Sequence, residues 1–123
     1  MLNKKIVLAI QIVYIVLITV LSLVSIDTKT NINVDNADKI IHVMIHAIHV
    51  LLLFLVFSKY NINKPILLAI FISIMYGIVI EVLQEQFTTK REFDIFDIYA
   101  NCFGTIIAAI LLKFKGKAIV KLI

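Results

Sequence analysis

Four long apolar stretches constrain the fold of this chain more than any other feature of its sequence. They run over residues 6–26, 40–57, 65–83 and 95–112. Each is close to the roughly 20 residues that a helix needs to cross the hydrocarbon core of a bilayer. In lipid a helix satisfies its own backbone N–H and C=O groups, so all four stretches are predicted to be helical. The expected fold is all-α, a polytopic membrane protein with a bundle of four transmembrane helices.

Composition agrees with this prediction and excludes several other classes of protein. Hydrophobic residues make up 62% of the 123 residues and charged residues only 16%, against about 25% charged in soluble domains. This hydrophobicity excludes intrinsic disorder, and the length excludes a large enzyme with a separate cofactor domain. The net charge of +4 does not indicate nucleic-acid binding, because the cations lie between apolar runs instead of on one basic face.

The first stretch also resembles a signal peptide in having lysines before it. Its apolar run is longer than the usual 7–15 residues of such a peptide, and it has no small-x-small cleavage site. We therefore expect a retained first helix.

The distribution of charge predicts how the helices are oriented. Eight of the twelve cations flank the chain start, the second loop and the chain end, without any acid among them: Lys4, Lys5, Lys59, Lys64, Lys113, Lys115, Lys117 and Lys121. All eight acids lie in the first and third loops or at their membrane edge. The positive-inside rule then predicts two cytoplasmic termini and an acidic outer side. Residues 1–112 form the predicted transmembrane domain, and residues 113–123 a short Lys-rich cytoplasmic tail that contacts anionic lipid.

Each predicted helix has one face of polar or small residues, which we expect to point into the bundle. Charged groups inside a membrane cost about 2.5–3.5 kcal/mol each, so they mark function or tight pairing. Residues spaced three or four apart share a face. The four series are Gln11, Tyr14, Ser22 and Ser25; Asp38, His42, His46 and His49; Ser73, Gly77, Glu81 and Gln84; and Asp94, Asp97, Asn101, Gly104 and Ala108.

Three helix ends from separate parts of the chain bring polar side chains to one predicted depth, which indicates an outward-facing polar pocket. Its candidate binding residues are Asp38, His42, Glu81, Gln84, Arg91, Asp97 and Asn101. Gly77 and Gly104 are predicted to be close-packing positions between helices. Asp94 is the predicted N-cap of the fourth helix, where a carboxylate also suits the helix dipole.

The same residues form three motifs that resemble those of the VanZ-like family. DKIIH at residues 38–42 resembles the family's DKxxH, and GIVIEVLQ at residues 77–84 resembles its GxxxExxQ. Residues 91–104 resemble its RxxxxxDxxxNxxG motif, so the resemblance covers roughly residues 1–112. Two departures are Val43 and His46, where the family usually has aromatic residues, and a third is His49 in place of a common leucine.

The resemblance implies a small four-span bacterial membrane protein of unassigned biochemical activity. It also implies kinship with a protein that confers low-level resistance to the glycopeptide teicoplanin. The expected role is an effect on the cell envelope or on glycopeptide susceptibility through the outer pocket. Expected partners are the lipid bilayer, a lipid-linked cell-wall precursor or a glycopeptide, and a second copy of the chain, but no nucleic acid.

Several alternatives follow from the same residues. Glu81, Asp97, His42 and Arg91 would suit an intramembrane enzyme that acts on a lipid-linked precursor, or would form a purely structural network. The polar helix faces would also permit a small oligomeric, holin-like pore. The spacing of Asp38 and the three histidines is compatible with metal ligation, but neutral histidines that hydrogen-bond across helices are more common. We assign no metal ligand and no cofactor from the sequence.

Overall fold

The computed structural model describes residues 2–24, 34–87 and 93–123, and the side chains of residues 34–37 are not part of that description. These parts of the chain form four α-helices, each long and apolar enough to cross a membrane. The prediction of an all-α, four-helix membrane fold is confirmed. The helices are α1 (Lys4–Leu23), α2 (Val34–Lys59), α3 (Pro65–Phe87) and α4 (Ile95–Leu122).

The helix ends follow local rules of sequence. Asp94 caps α4 as predicted, because its Oδ1 accepts a hydrogen bond of 2.9 Å from the backbone N–H of Phe96. Pro65 opens α3, where its missing N–H costs nothing. The turn before it contains two residues with positive φ, Asn61 at 56° and Lys64 at 53°. This turn reverses the chain between α2 and α3.

α4 continues well beyond Leu112, the predicted end of the fourth apolar stretch. It runs to Leu122 and so contains nearly all of the Lys-rich segment. Lysine, alanine and leucine favour helices, and the one glycine of this segment, Gly116, is buried against the Phe54 ring. The end of an apolar stretch marks a change in hydropathy, and here it is not the end of the helix.

α2 is the central helix, since it contacts each of the other three. α4 packs on α2 and α3, and α1 packs on the same two helices. Toward one end the core is apolar, with the buried side chains Val50, Leu53, Phe54, Ala69, Ala108 and Leu112. Large apolar side chains on the outside, such as Val13 and Phe71, are more than 60% exposed and suit contact with the lipid bilayer.

The predicted inward direction of the polar faces is confirmed for the described residues. Buried polar side chains occur on all four helices: Gln11, His46, His49, Ser73, Glu81, Gln84, Asp97, Asn101 and Thr105. The bundle therefore has an apolar half and a polar half along its length.

Gly104 lies where α4 closely approaches the backbone of α2. A Cβ atom at this position would collide with the carbonyl oxygen of Val43, which belongs to the backbone and cannot rotate away. A Cβ at Gly116 would instead lie 3.0 Å from the Phe54 ring, which can tilt. The glycine at residue 104 thus permits the two helices to touch.

We expect Gly104→Ala to lower the stability of the bundle much more than Gly116→Ala. Overpacking costs about 1–3 kcal/mol, whereas replacing a helical glycine by alanine gains at most about 1 kcal/mol. Gly104→Ala should therefore cost about 2 kcal/mol, and Gly116→Ala should be close to neutral. Thermal unfolding in detergent, followed by circular dichroism, measures both; equal shifts of the two variants would contradict the close approach.

Candidate functional site

One end of the bundle collects most of the predicted site residues, and we call it the acidic end. It is formed by the start of α2, the end of α3 and the start of α4. Its residues, joined by the contacts given below, are Asp38, Lys39, His42, Glu81, Asp94, Asp97 and Asn101.

Lys39 is at the centre of this end. Its Nζ donates a hydrogen bond of 2.6 Å to Asp94 Oδ2 and another to Asp97 Oδ1, and it lies 3.9 Å from Asp38 Oδ2. The Asp97 side chain is only 7% exposed and that of Lys39 31% exposed, so this ion pair is partly shielded from solvent. The hydrogen bond from Lys39 holds the pKa of Asp94 below its ordinary value.

Sequence reasoning did not include Lys39 among the site residues. Lys39 is one of the four cations outside the eight that mark the predicted cytoplasmic side. A signal was present, because Lys39 lies three residues before His42 and so shares a helix face with it.

His42 connects α2 to α4 on the other side of Asp97. Its Nδ1 lies 2.9 Å from Asn101 Oδ1. Its Nε2 lies 3.5 Å from Asp97 Oδ2 and 3.7 Å from Asp38 Oδ1. The amide oxygen of Asn101 can only accept a hydrogen bond, so Nδ1 carries the proton in this arrangement.

Glu81 brings a third helix into the acidic end. Its Oε2 accepts a hydrogen bond of 3.2 Å from the backbone N–H of Asp94, and its carboxyl group adjoins that of Asp97. The side chain is 1% exposed. Its other oxygen, Oε1, is buried without a hydrogen-bond partner among the described residues.

The remaining two candidates behave differently. Gln84 is buried, and its Nε2 donates a hydrogen bond of 2.9 Å to the carbonyl oxygen of Ser22, which ties α3 to the end of α1. Arg91 lies outside the described residues. The structure thus places Asp38, Asp97 and three further candidates, His42, Glu81 and Asn101, in one connected network.

A second polar layer lies one turn deeper. His46 Nδ1 lies 3.0 Å from Ser73 Oγ, which is 3.4 Å from Thr105 Oγ1. Gly77 makes room here, since a Cβ atom at this residue would lie 2.9 Å from Asn101 Nδ2 and from His46 Cε1. This layer joins α2, α3 and α4 by neutral hydrogen bonds.

His49 lies deeper still, in an aromatic group. Its ring centroid is 5.2 Å from that of Tyr76 and 6.2 Å from that of Tyr14. Tyr14 donates a hydrogen bond to the Ile45 carbonyl oxygen at 2.7 Å. Because His46 bonds to Ser73 and His49 lies among tyrosines, the three histidines do not meet around one point in the described structure.

A cavity of about 640 Å³ lies at the opposite end of the bundle. Its lining includes Phe54, Pro65, Leu112, Lys113 and Lys117. The polar groups of the acidic end, by contrast, contact one another. The outward-facing polar pocket stays a prediction.

Comparison with known proteins gives one family. The VanZ/LLP1 family model matches residues 4–116, which covers most of the chain. No curated protein and no solved structure shows a significant match. The matched range includes the whole acidic end and all three motifs that were identified in the sequence.

We expect Lys39→Gln to destabilise the bundle and Asp97→Asn to rescue it partly. Removal of Lys39 leaves the Asp97 carboxylate buried without its ammonium, a change that costs about 3–5 kcal/mol in fully buried pairs. Lys39 is partly exposed, so about 2 kcal/mol is expected here. Lys113→Gln, at an exposed lysine of the opposite end, is the matched control. Thermal unfolding of the single and double variants checks the coupling; strictly additive effects would show that the two side chains do not interact.

Proposed function

This chain belongs to the VanZ/LLP1 family, and from that premise we propose that its acidic end binds envelope material at the outer face of a bacterial cytoplasmic membrane. In doing so it changes susceptibility to glycopeptide antibiotics such as teicoplanin. The observation that carries this proposal is the network around Lys39, His42 and Asp97, which connects ionisable side chains at the ends of three membrane-spanning helices.

The energetic cost of the network supports a binding role over a purely structural one. Ionisable side chains within membrane helices cost about 2.5–3.5 kcal/mol each. Hydrogen bonds between such helices contribute about 0.6 kcal/mol on average. Asp97 and Glu81 are both buried, and stability alone does not account for placing two carboxyl groups side by side.

The chemistry of the acidic end favours a glycosylated ligand. Three carboxylates, those of Asp38, Asp94 and Asp97, lie around the one ammonium of the described network, that of Lys39. The carboxyl group of Glu81 adjoins that of Asp97. Carboxylate and amide oxygens accept hydrogen bonds from hydroxyl and amino groups. Sugar units of a lipid-linked cell-wall precursor, or those of a glycopeptide, offer many such donors.

The outward orientation is supported by the location of the lysines. The start of α1, the end of α2 and the end of α4 meet at the end opposite to the acids, where Lys59 Nζ donates a hydrogen bond of 2.7 Å to the Leu2 carbonyl oxygen. The backbone N–H of Leu2 in turn bonds to the carbonyl oxygen of Ile123. We call this the lysine end. The positive-inside rule would place it in the cytoplasm.

The oligomeric pore receives less support. The polar faces that would line such a pore contact one another within a single chain, as in the pairs His46–Ser73 and Thr19–Tyr76. These contacts need no second copy of the chain.

We expect Asp97→Asn and Glu81→Gln to abolish any resistance that the wild-type chain confers. Both substitutions keep the side-chain volume but remove a charge from the acidic end. The measurement is the minimum inhibitory concentration of teicoplanin for a susceptible bacterium that expresses each variant, with membrane levels matched by immunoblot.

Glu85→Gln is the matched control, since Glu85 is an exposed acid one turn from Glu81, and it should keep the wild-type phenotype. If Asp97→Asn and Glu81→Gln also keep it at equal membrane levels, the carboxylates are structural and the proposed site is wrong. Mass spectrometry of lipid carriers from the same cells separates binding from catalysis. A carrier that is chemically changed only in wild-type cells would favour the enzyme alternative.

We expect the lysine end to be inaccessible from outside the cell. In a Cys102→Ser background, Asn63→Cys lies in the turn between α2 and α3, and Phe87→Cys lies at the exposed end of α3. A membrane-impermeant maleimide added to intact cells should label the cysteine at residue 87 and not the one at residue 63. The reverse pattern would invert the topology and place the acidic end inside.

A further inference from the structure

We propose that the acidic end holds one divalent cation of the zinc or manganese class, ligated by Asp38, His42 and Asp97. This goes beyond the proposed function, because a cation can bind there without any envelope ligand. The proposed ligands differ from Asp38 and the three histidines considered in the sequence analysis, because Asp97 is included and His46 and His49 are not.

The two distances from His42 to the carboxylates fit a shared ion. His42 Nε2 lies 3.5 Å from Asp97 Oδ2 and 3.7 Å from Asp38 Oδ1, and all three atoms lie within 4.8 Å of one another. Hydrogen bonds between N–H and oxygen are shorter, at about 2.7–3.2 Å. Two ligand atoms bound to Zn²⁺ at about 2.1 Å with tetrahedral angles are about 3.4 Å apart. The two distances from His42 Nε2 are close to those between ligands around an ion and longer than a direct hydrogen bond.

The hydrogen bond to Asn101 prepares His42 for ligation. When Nδ1 donates a hydrogen bond to Asn101 Oδ1, the metal-binding tautomer of His42 has its lone pair on Nε2, the nitrogen that faces both carboxylates. Metal-binding histidines are held in this way by a partner on their other ring nitrogen. Asn101 is thus a positioning residue for the proposed ligand.

Lys39 contacts the two carboxylates through the oxygens that do not face His42. It contacts Asp97 through Oδ1, while Oδ2 of the same carboxylate faces His42. At Asp38 it lies nearer to Oδ2, while Oδ1 faces His42. Each carboxylate therefore directs one oxygen to the ammonium and one oxygen to the imidazole.

Glu81 adds a second observation beside the proposed ligand Asp97. Its Oε1 is buried and has no hydrogen-bond partner among the described residues, although the side chain is 99% shielded and adjoins Asp97. Leaving such an oxygen without a donor costs about 1–3 kcal/mol or more. A water molecule bound to the cation would donate to it, and would complete the coordination beyond the three protein ligands.

The donor set selects the class of metal. One imidazole with two carboxylates suits Zn²⁺ or Mn²⁺. Ca²⁺ and Mg²⁺ prefer ligand sets made of oxygen alone, and soft ions such as Cu⁺ prefer sulfur.

Direct titration of the whole chain tests the proposal. The protein is purified in detergent with its affinity tag removed, stripped with a chelator, and titrated with Zn²⁺ by isothermal titration calorimetry. We expect saturable binding of one Zn²⁺ per chain. His42→Ala and Asp97→Asn should raise the Kd at least about 100-fold. Asn101→Leu should raise it about 10–100-fold, as the loss of the hydrogen-bond partner of a metal-bound histidine does.

Two variants serve as matched controls and should keep the wild-type Kd. His49→Phe removes an imidazole from the same helix, and Glu85→Gln removes a carboxylate from the same end of α3. If Zn²⁺ does not bind in a one-to-one ratio, or if His42→Ala binds it as tightly as the wild type, the proposal is overturned.

A measurement on the wild-type chain covers the case in which the ligand variants do not fold. With ¹⁵N-labelled histidine, Zn²⁺ should shift the ring nitrogen resonances of one histidine strongly, and His49→Phe shows which signal belongs to His49. Equal shifts of all three histidines, or none, would reject the site. Neither experiment involves an envelope ligand or resistance, so a failed resistance assay does not affect the outcome.

Discussion

The ion pair from Lys39 on α2 to Asp94 and Asp97 on α4 is the interaction on which the acidic end depends. It brings together two helices that are far apart in the chain and directs one oxygen of each nearby aspartate to the ammonium. Gly104 lets α4 lie close to the backbone of α2 at Val43, one helical turn after Lys39. This close approach permits the ion pair between Lys39 and α4. The absence of a side chain at Gly104 thus helps to set the distance between the charged groups of α2 and α4.

The division of the core into an apolar and a polar half has a physical reason. In a bilayer, helices gain little by burying apolar side chains against one another, because lipid tails are equally apolar. Van der Waals packing around Phe54 and Leu112 holds the lysine end together. At the other end, directional contacts such as His42–Asn101 and His46–Ser73 define which faces meet and in which register. Specificity of packing and chemistry of the site therefore come from the same side chains.

Sequence periodicity predicted the fold and the inward faces well, because both depend on single helices. It placed Asp94 as a cap and began the third predicted helix at residue 65, which are also local effects. It did not predict which partner each side chain meets. Lys39 was not among the predicted site residues, because nothing local shows that α4 would bring Asp97 to it. The extension of α4 to Leu122 was missed for a related reason, because hydropathy locates membrane boundaries and not helix ends.

The excess of carboxylates at the acidic end underlies both proposals, the binding of an envelope ligand and the binding of a divalent cation. With Lys39 as the one ammonium of the described network, the end offers mainly hydrogen-bond acceptors, which suits hydroxyl-rich ligands. A divalent cation among Asp38, His42 and Asp97 would add two positive charges at the same place. Phosphate oxygens would then become compatible ligands, because metal ions bind them directly. The class of ligand thus depends on whether the cation is bound. Added Zn²⁺ should strengthen the binding of a ligand that is held through its phosphate group, which distinguishes it from a ligand that is held through its hydroxyl groups.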